Sequence, residues 1–156
     1  MAKVIVCKTA LRKEKCYSIR QIVFIEEQKV PKELERDGKD DAAIHFLALE
    51  GDVPAGTVRL TLIGRNGKLQ RLAVLKEFRG KGIAKQIVKA LEKEALAQGL
   101  EKITMHSQSH AKGFYEKLGY EVSGKEFMEA GIPHVPMEKR LTGKKKYDDY
   151  KLTTIF

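Results

Sequence analysis

Long apolar runs are missing from this chain and cysteine is scarce. A bilayer-spanning helix needs roughly 18 to 20 consecutive apolar residues, so no membrane span is expected. The start, MAKVIVCKTALRK, puts one lysine before a short apolar stretch with no small-residue cleavage site behind it. That excludes a secretory leader and makes a cytoplasmic location the expectation. Two cysteines, Cys7 and Cys16, cannot build a disulfide framework, and neither belongs to a CxxC or Cys/His set that would hold a metal. Both read as reduced, partly buried thiols. The phosphate-binding patterns GxxxxGK[ST] and GxGxxG are absent as well, which removes the P-loop and Rossmann readings.

What is present fits an ordinary globular chain. At 156 residues, 42% hydrophobic and 33% charged, it is long enough for one domain with a real core. That domain is expected over residues 1–142, followed by a C-terminal tail over residues 143–156 whose Leu152, Ile155 and Phe156 would suit docking, including on a second copy as a homodimer. The net charge of +9 points to an anionic partner. The basic residues are dispersed among the acids, and the one tight run, Lys144 to Lys146, adjoins Asp148 and Asp149. Without a dense basic face or an aromatic stacking motif, nucleic acid is not the expected partner. A phosphorylated small ligand satisfies the charge.

Periodicity predicts a strand at KVIVC, then a helix over Leu11–Gln28 ending before Pro31. Residues 32–41, KELERDGKDD, form a polar, acid-rich segment with no period and read as a loop. An antiparallel three-strand meander is expected over residues 42–75, its second hairpin signalled by RNG. Ile83, Ala84, Ile87, Val88, Leu91 and Ala95 recur at helical spacing, with Gly99 as C-cap. KITMHS is a strand, HAKGFYEKLGY a short helix closed by Gly119, and Tyr120–Ser123 and HVPMEKRL two final strands. The order β-α-βββ-α-β-α-ββ implies an α/β fold, a mixed sheet with helices on both faces.

One stretch carries chemistry. In RGKGIAKQIVKAL, residues 79–91, two glycines and two basic residues lie in the loop that opens the helix. The first amides of a helix lack intrahelical partners, and the macrodipole adds positive potential. Gly80 and Gly82 would let a phosphate approach the backbone, with Arg79, Lys81 and Lys85 around it. Alone, the pattern serves a solvated turn equally well.

Paired with GFYEKLGY some thirty residues later, the loop resembles the GNAT superfamily of acyl-CoA-dependent N-acetyltransferases. Arg79, Gly82 and Ala84 match that family's [RQ]-x-x-G-x-[GA] pyrophosphate loop, and Phe114, Tyr115, Lys117, Gly119 and Tyr120 match its FYxKxGF/Y helix. Within the superfamily, IRQIVFIEEQKVP, SQSHAKGFY and AGIPHVPM are similar to the bacterial ElaA-like group.

The resemblance implies acetyl-CoA as acyl donor, lodged in a splay between the strands ending near Leu75 and Met105. Backbone groups of Leu72, Ala73 and Val74 would bind the pantetheine and thioester, and amides from Gly80 through Lys81, Gly82 and Ile83 to Ala84 the pyrophosphate. Gln108 and Phe114 would line the donor site, and Tyr115 would protonate the departing sulfur. A carboxylate used as base by some members is replaced here by Gln70, leaving Glu27 and His110 as the base candidates, with His45 and His106 behind them. His134 would line the acceptor pocket. The acceptor would be the primary amine of a small molecule or peptide, and the acids of Glu33–Asp41 would attract a cationic one.

Two alternatives remain. Arg20, Phe24, Glu35, Asp37, Asp40 and Arg59 resemble the charged set of acyl-homoserine-lactone synthases, although the tryptophan usual there is missing. A non-catalytic module that binds acetyl-CoA is the other.

Overall fold

The structure, a computed structural model, describes residues 2–141; the tail and its docking residues lie outside them. Strand β1 (Lys3–Val6) leads to helix α1 (Ala10–Arg20), which begins where the extended Thr9 accepts the Arg12 N–H on its hydroxyl at 3.2 Å. The single helix expected to Gln28 does not form. Over Gln21–Glu27 the chain widens into a π-helix, closed by the Gln28 N–H on the Val23 carbonyl. Apolar spacing reports the buried face, and over two turns it does not separate i→i−4 from i→i−5 pairing. The segment expected to be loop contains a short helix, α2 (Lys32–Glu35).

The meander forms as β2 (Ile44–Glu50), β3 (Val53–Ile63) and β4 (Asn66–Val74). Its second hairpin turns two residues before the Asn66–Gly67 that RNG suggests. Ile63 already pairs with Asn66, so the loop is Gly64–Arg65, with Gly64 at φ +60, the backbone sign a two-residue type II′ turn requires at its first position. Gly67 serves packing instead. A Cβ there would lie 2.7 Å from the Leu60 Cδ1 and 3.0 Å from the Leu100 Cδ1.

Helix α3 (Ile83–Ala97) crosses to β5 (Lys102–Gln108), followed by α4 (Lys112–Glu116), β6 (Glu121–Val122), β7 (Phe127–Glu129) and β8 (Ile132–Arg140). Gly99, at φ +79, terminates α3 as expected, with the Leu100 N–H returning to the Ala95 carbonyl. Strand β7 was not legible: three residues are too few to show a period, and β8 starts two residues before the expected His134. Its hairpin turns on Ala130 and Gly131, both at positive φ.

The sheet runs β1-β2-β3-β4-β5-β8-β6, with β7 also on β8, and β4–β5 is its parallel pair. Alternation sends Phe46, Ala48, Val58 and Leu60 to one face, where Ile83, Ile87, Val88, Leu91 and Ala95 of α3 cover them. Leu47 and Ala73 face the other way, against Cys16 and Ile19 of α1 and Val23 of the π-helix. Cys7 and Cys16 are buried free thiols with sulfurs 3.4 Å apart, beyond the roughly 2.05 Å of a bond.

Two irregularities open the sheet. The β4–β5 ladder stops at Leu69–Met105, after which β4 follows β3 and β5 follows β8. Just beyond that point β4 carries a bulge, with Arg71 at φ +61. A bulge inserts one residue and bends its strand away from the flat ladder.

Candidate active site

The splay opens into a cavity of about 620 Å³, walled by the ends of β4 and β5, the π-helix and the β7–β8 hairpin. This is the range of small-ligand sites. At one end lies the glycine loop. Gly80 and Gly82 both take φ +79, and a Cβ on either would meet no protein atom within 4 Å. Packing therefore does not exclude a side chain there; the left-handed backbone does, and it leaves open space before the first amides of α3. Ile83 is buried in the core, so only its amide can serve a ligand. Ala84 lines the cavity, while Gly80, Lys81 and Gly82 stand exposed at its rim.

Arg79 is less free than a rim charge. Its Nε donates to the Val74 carbonyl at 2.8 Å and its Nη2 to Glu27 Oε1 at 2.7 Å. It thus straps the end of β4 to the π-helix. Leu72, Ala73 and Val74 all line the cavity, past the last β5 partner, so the edge of β4 that faces β5 has no ladder there. The residues fit the phosphate and pantetheine of an acyl-CoA.

Tyr115 lies across the splay. Its ring packs edge-on against Phe114 at 5.0 Å and Tyr120 at 5.8 Å, and Gly119 at φ +98 closes the turn that brings Tyr120 under it. Burial pushes its phenol well above the ordinary range, so it remains a proton donor. Among the described residues no hydrogen bond engages the Tyr115 hydroxyl.

Gln108, at the end of β5, donates to Gln28 Oε1 at 2.8 Å and accepts from the His110 Nε2 at 2.7 Å. His106 pairs with Glu129 at 3.0 Å. His134 donates its Nδ1–H to the Ile132 carbonyl at 2.7 Å. All three histidines line the cavity. His45 does not; it is buried beside Tyr17, its Nε2 on the Asp40 carbonyl at 2.8 Å.

The acid-rich segment is not the solvated loop, nor the lure for a cation, that its composition suggests. Arg20, 1% exposed, binds Glu35 at 2.7 Å and Asp40 at 2.7 Å. Arg59, fully buried, binds Asp37 at 2.9 Å, Asp40 at 3.0 Å and Gln70 at 2.8 Å. Arg71 adds Asp37 and the Leu34 and Glu35 carbonyls. Burial opposes ionisation of Asp37, yet the Arg59 guanidinium wins and holds that carboxyl well below the usual range. Asp40 is lowered likewise, against its burial, by Arg20 and Arg59. The synthase-like charged set is brought together, but it is consumed by its own pairing.

Sequence reasoning missed Arg71, Lys68 and Gln28 as cavity residues. Gln28 lies inside the ElaA-like stretch, which could have marked it. Nothing in a single sequence announces the bulge that aims Arg71.

Residues 8–141 match the family model described as an acetyltransferase (GNAT) domain. The chain belongs to the GNAT acetyltransferase family. A Bacillus subtilis (strain 168) protein named as an acetyltransferase is 45% identical over 127 residues, covering 80% of this chain and 86% of that one. The crystal structure of an N-acetyltransferase from Lactobacillus plantarum superposes with a TM-score of 0.84 at 31% identity, covering 90% of this chain and 98% of the other. Escherichia coli ElaA shares the fold, with a TM-score of 0.80 at 20% identity over 89% and 99% of the two chains. This GNAT protein is thus an acyl-CoA-dependent N-acetyltransferase with a mixed sheet between helices. Among its described residues no helix is long and apolar enough to cross a membrane.

Proposed function

We propose that this GNAT enzyme transfers acetyl from acetyl-CoA to the primary amine of a small molecule or peptide by direct attack, with Tyr115 as general acid. The carrying observation is the Tyr115 side chain itself: buried, kept protonated, and presented to the cavity beside the open end of β4. Acetyl-CoA would supply an activated acyl group on a thioester. The amides of Gly80 to Ala84 would hold its pyrophosphate, with Lys81 at the rim, and the freed edge at Leu72 to Val74 its pantetheine, with Phe114 and Gln108 lining the wall.

As the amine nitrogen bonds to the acyl carbon and the carbon–sulfur bond breaks, Tyr115 gives its proton to the departing sulfur. The proton lost by the amine goes to Glu27 or His110. His110 is the readier of the two, because Glu27 is held by Arg79 at 2.7 Å while the His110 ring is exposed on the cavity wall. Replacing Tyr115 with Phe keeps the ring packing and removes only the hydroxyl. The expected result is a loss in kcat of about a hundredfold or more with the KM for acetyl-CoA little changed; an unchanged kcat removes Tyr115 from the mechanism. If no amine or peptide raises thiol release while acetyl-CoA still binds, the non-catalytic module is the correct reading.

A further inference from the structure

Two basic side chains on the cavity wall keep donors that no described residue satisfies. Glu27 is paired with Arg79 and Glu35 with Arg20, and Glu129 shares a hydrogen bond with His106. What remains is Lys68, which has no ion-pair partner among the described residues, and Arg71. Arg71 Nη2 donates to Asp37 Oδ2 at 3.4 Å and to the Leu34 and Glu35 carbonyls, but Asp37 is also bound by Arg59 and the Glu35 carboxylate by Arg20. Its Nε lies 3.3 Å from Glu35 Oε2 without hydrogen-bond alignment, a buried donor left unsatisfied. Among the described residues no hydrogen bond engages its Nη1. Burial and the neighbouring Arg59 cation pull its pKa below the usual arginine value, against the opposing effect of Glu35 and Asp37.

The backbone points the same way. Arg71 holds φ +61 on the β4 bulge, a left-handed conformation that a non-glycine residue keeps where the surroundings over-determine it. Lys68 lies on β4 opposite Thr104, one pair before the end of the β4–β5 ladder. Lys68 and Arg71 both line the cavity and both precede Leu72–Val74 along β4, the strand that runs on toward the glycine loop.

We infer that the acceptor amine also carries an anionic group, a carboxylate or phosphate, which Arg71 and Lys68 bind at the end of the cleft remote from α3. This rests on the transferase reading above and gives its acceptor a class. It replaces the cationic acceptor suggested by the acidic segment, in which Glu35, Asp37 and Asp40 are paired with Arg20, Arg59 and Arg71.

The test uses paired acceptors at saturating acetyl-CoA: β-alanine against β-alaninamide, phosphoethanolamine against ethanolamine, and spermidine as a cationic amine. Wild type should show a kcat/KM about ten- to a hundredfold higher for the anionic member of at least one pair, the scale of one or two charge-assisted hydrogen bonds. The pair that responds separates carboxylate from phosphate. Arg71→Gln should erase the preference. Lys68→Gln, at a half-buried site outside the buried ion pairs, covers the case in which Arg71→Gln does not fold; it should cut the preference several-fold, with Lys68→Arg restoring it. Equal or better use of the amide, ethanolamine or spermidine would overturn the inference and leave the transferase intact. A second readout does not need turnover. With CoA present, N-acetyl-β-alanine or N-acetylphosphoethanolamine should raise the melting temperature of wild type and not of Lys68→Gln. If no amine is acetylated, the transferase reading fails, and this shift alone decides: its presence supports the anion subsite and its absence overturns it.

Discussion

The two ends of the cleft present positive charge by opposite means. At the α3 end the positive potential belongs to backbone: amides before Ala84, presented by two glycines at φ +79 with open space in front of them. At the other end it belongs to side chains, Arg20, Arg59 and Arg71, packed against Glu35, Asp37 and Asp40 beneath the cavity floor. The first is preformed and nearly free of internal bonds, so it contributes to a ligand and little to folding. The second is a structural network with one arginine extending into the site. Substitutions should therefore separate the two, stability at one end and donor affinity at the other.

The largest effect is expected at the network. Glu35→Ala takes from the buried Arg20 guanidinium one of its two bidentate carboxylates and leaves Asp40 alone against it, and loss of about 3 to 5 kcal/mol is expected, measured by urea denaturation. Acetyl-CoA affinity of the protein that remains folded should be unchanged. Arg79→Glu should do the reverse. It places a like charge beside Glu27 and an anion at the donor phosphate, and acetyl-CoA should bind about ten- to a hundredfold more weakly. Its stability should fall by less than about 1 kcal/mol, because the lost pair is exposed.

Acid should act on the network alone. The Asp37 and Asp40 carboxyls are depressed in the folded chain. Below about pH 4 the unfolded chain takes up protons that the folded chain refuses, so this stability is full above that pH and is lost as pH falls. Buried His45, its pKa lowered chiefly by desolvation, adds a loss that begins below about pH 6.5. Asp37→Asn should flatten the acid limb of the stability profile, and an unaltered limb would detach Asp37 from it. The smallest effect is expected for Gln28→Ala, which removes the 2.8 Å tie to Gln108 and should cost about 1 kcal/mol in a melting experiment.

The glycine-loop end was legible in the sequence because its structure is local. A glycine loop, a helix start and a Phe114–Tyr115 helix are each written in contiguous residues. The network was legible only in part. Arg20, Glu35, Asp37, Asp40 and Arg59 could be grouped by likeness, but composition alone presents the acids as solvated. Their burial depends on α2 and on a π-helix, and neither leaves a period of its own in the sequence. The Arg71 bulge and the three residues of β7 depend on tertiary pairing, which no local pattern records. The RNG hairpin missed its turn because a packing glycine and a turning glycine look alike until Leu60 and Leu100 are in place.

The most direct test of the donor site is a calorimetric titration of acetyl-CoA into wild type, Gly82→Asp and Gly51→Asp. Gly51 also has positive φ, +64, and open space around its Cβ position, but it lies in the β2–β3 turn outside the cavity, so it carries the same backbone strain without the anion site. The account predicts a Kd at least about a hundredfold weaker for Gly82→Asp and unchanged for Gly51→Asp. Equal affinities for all three proteins would contradict it.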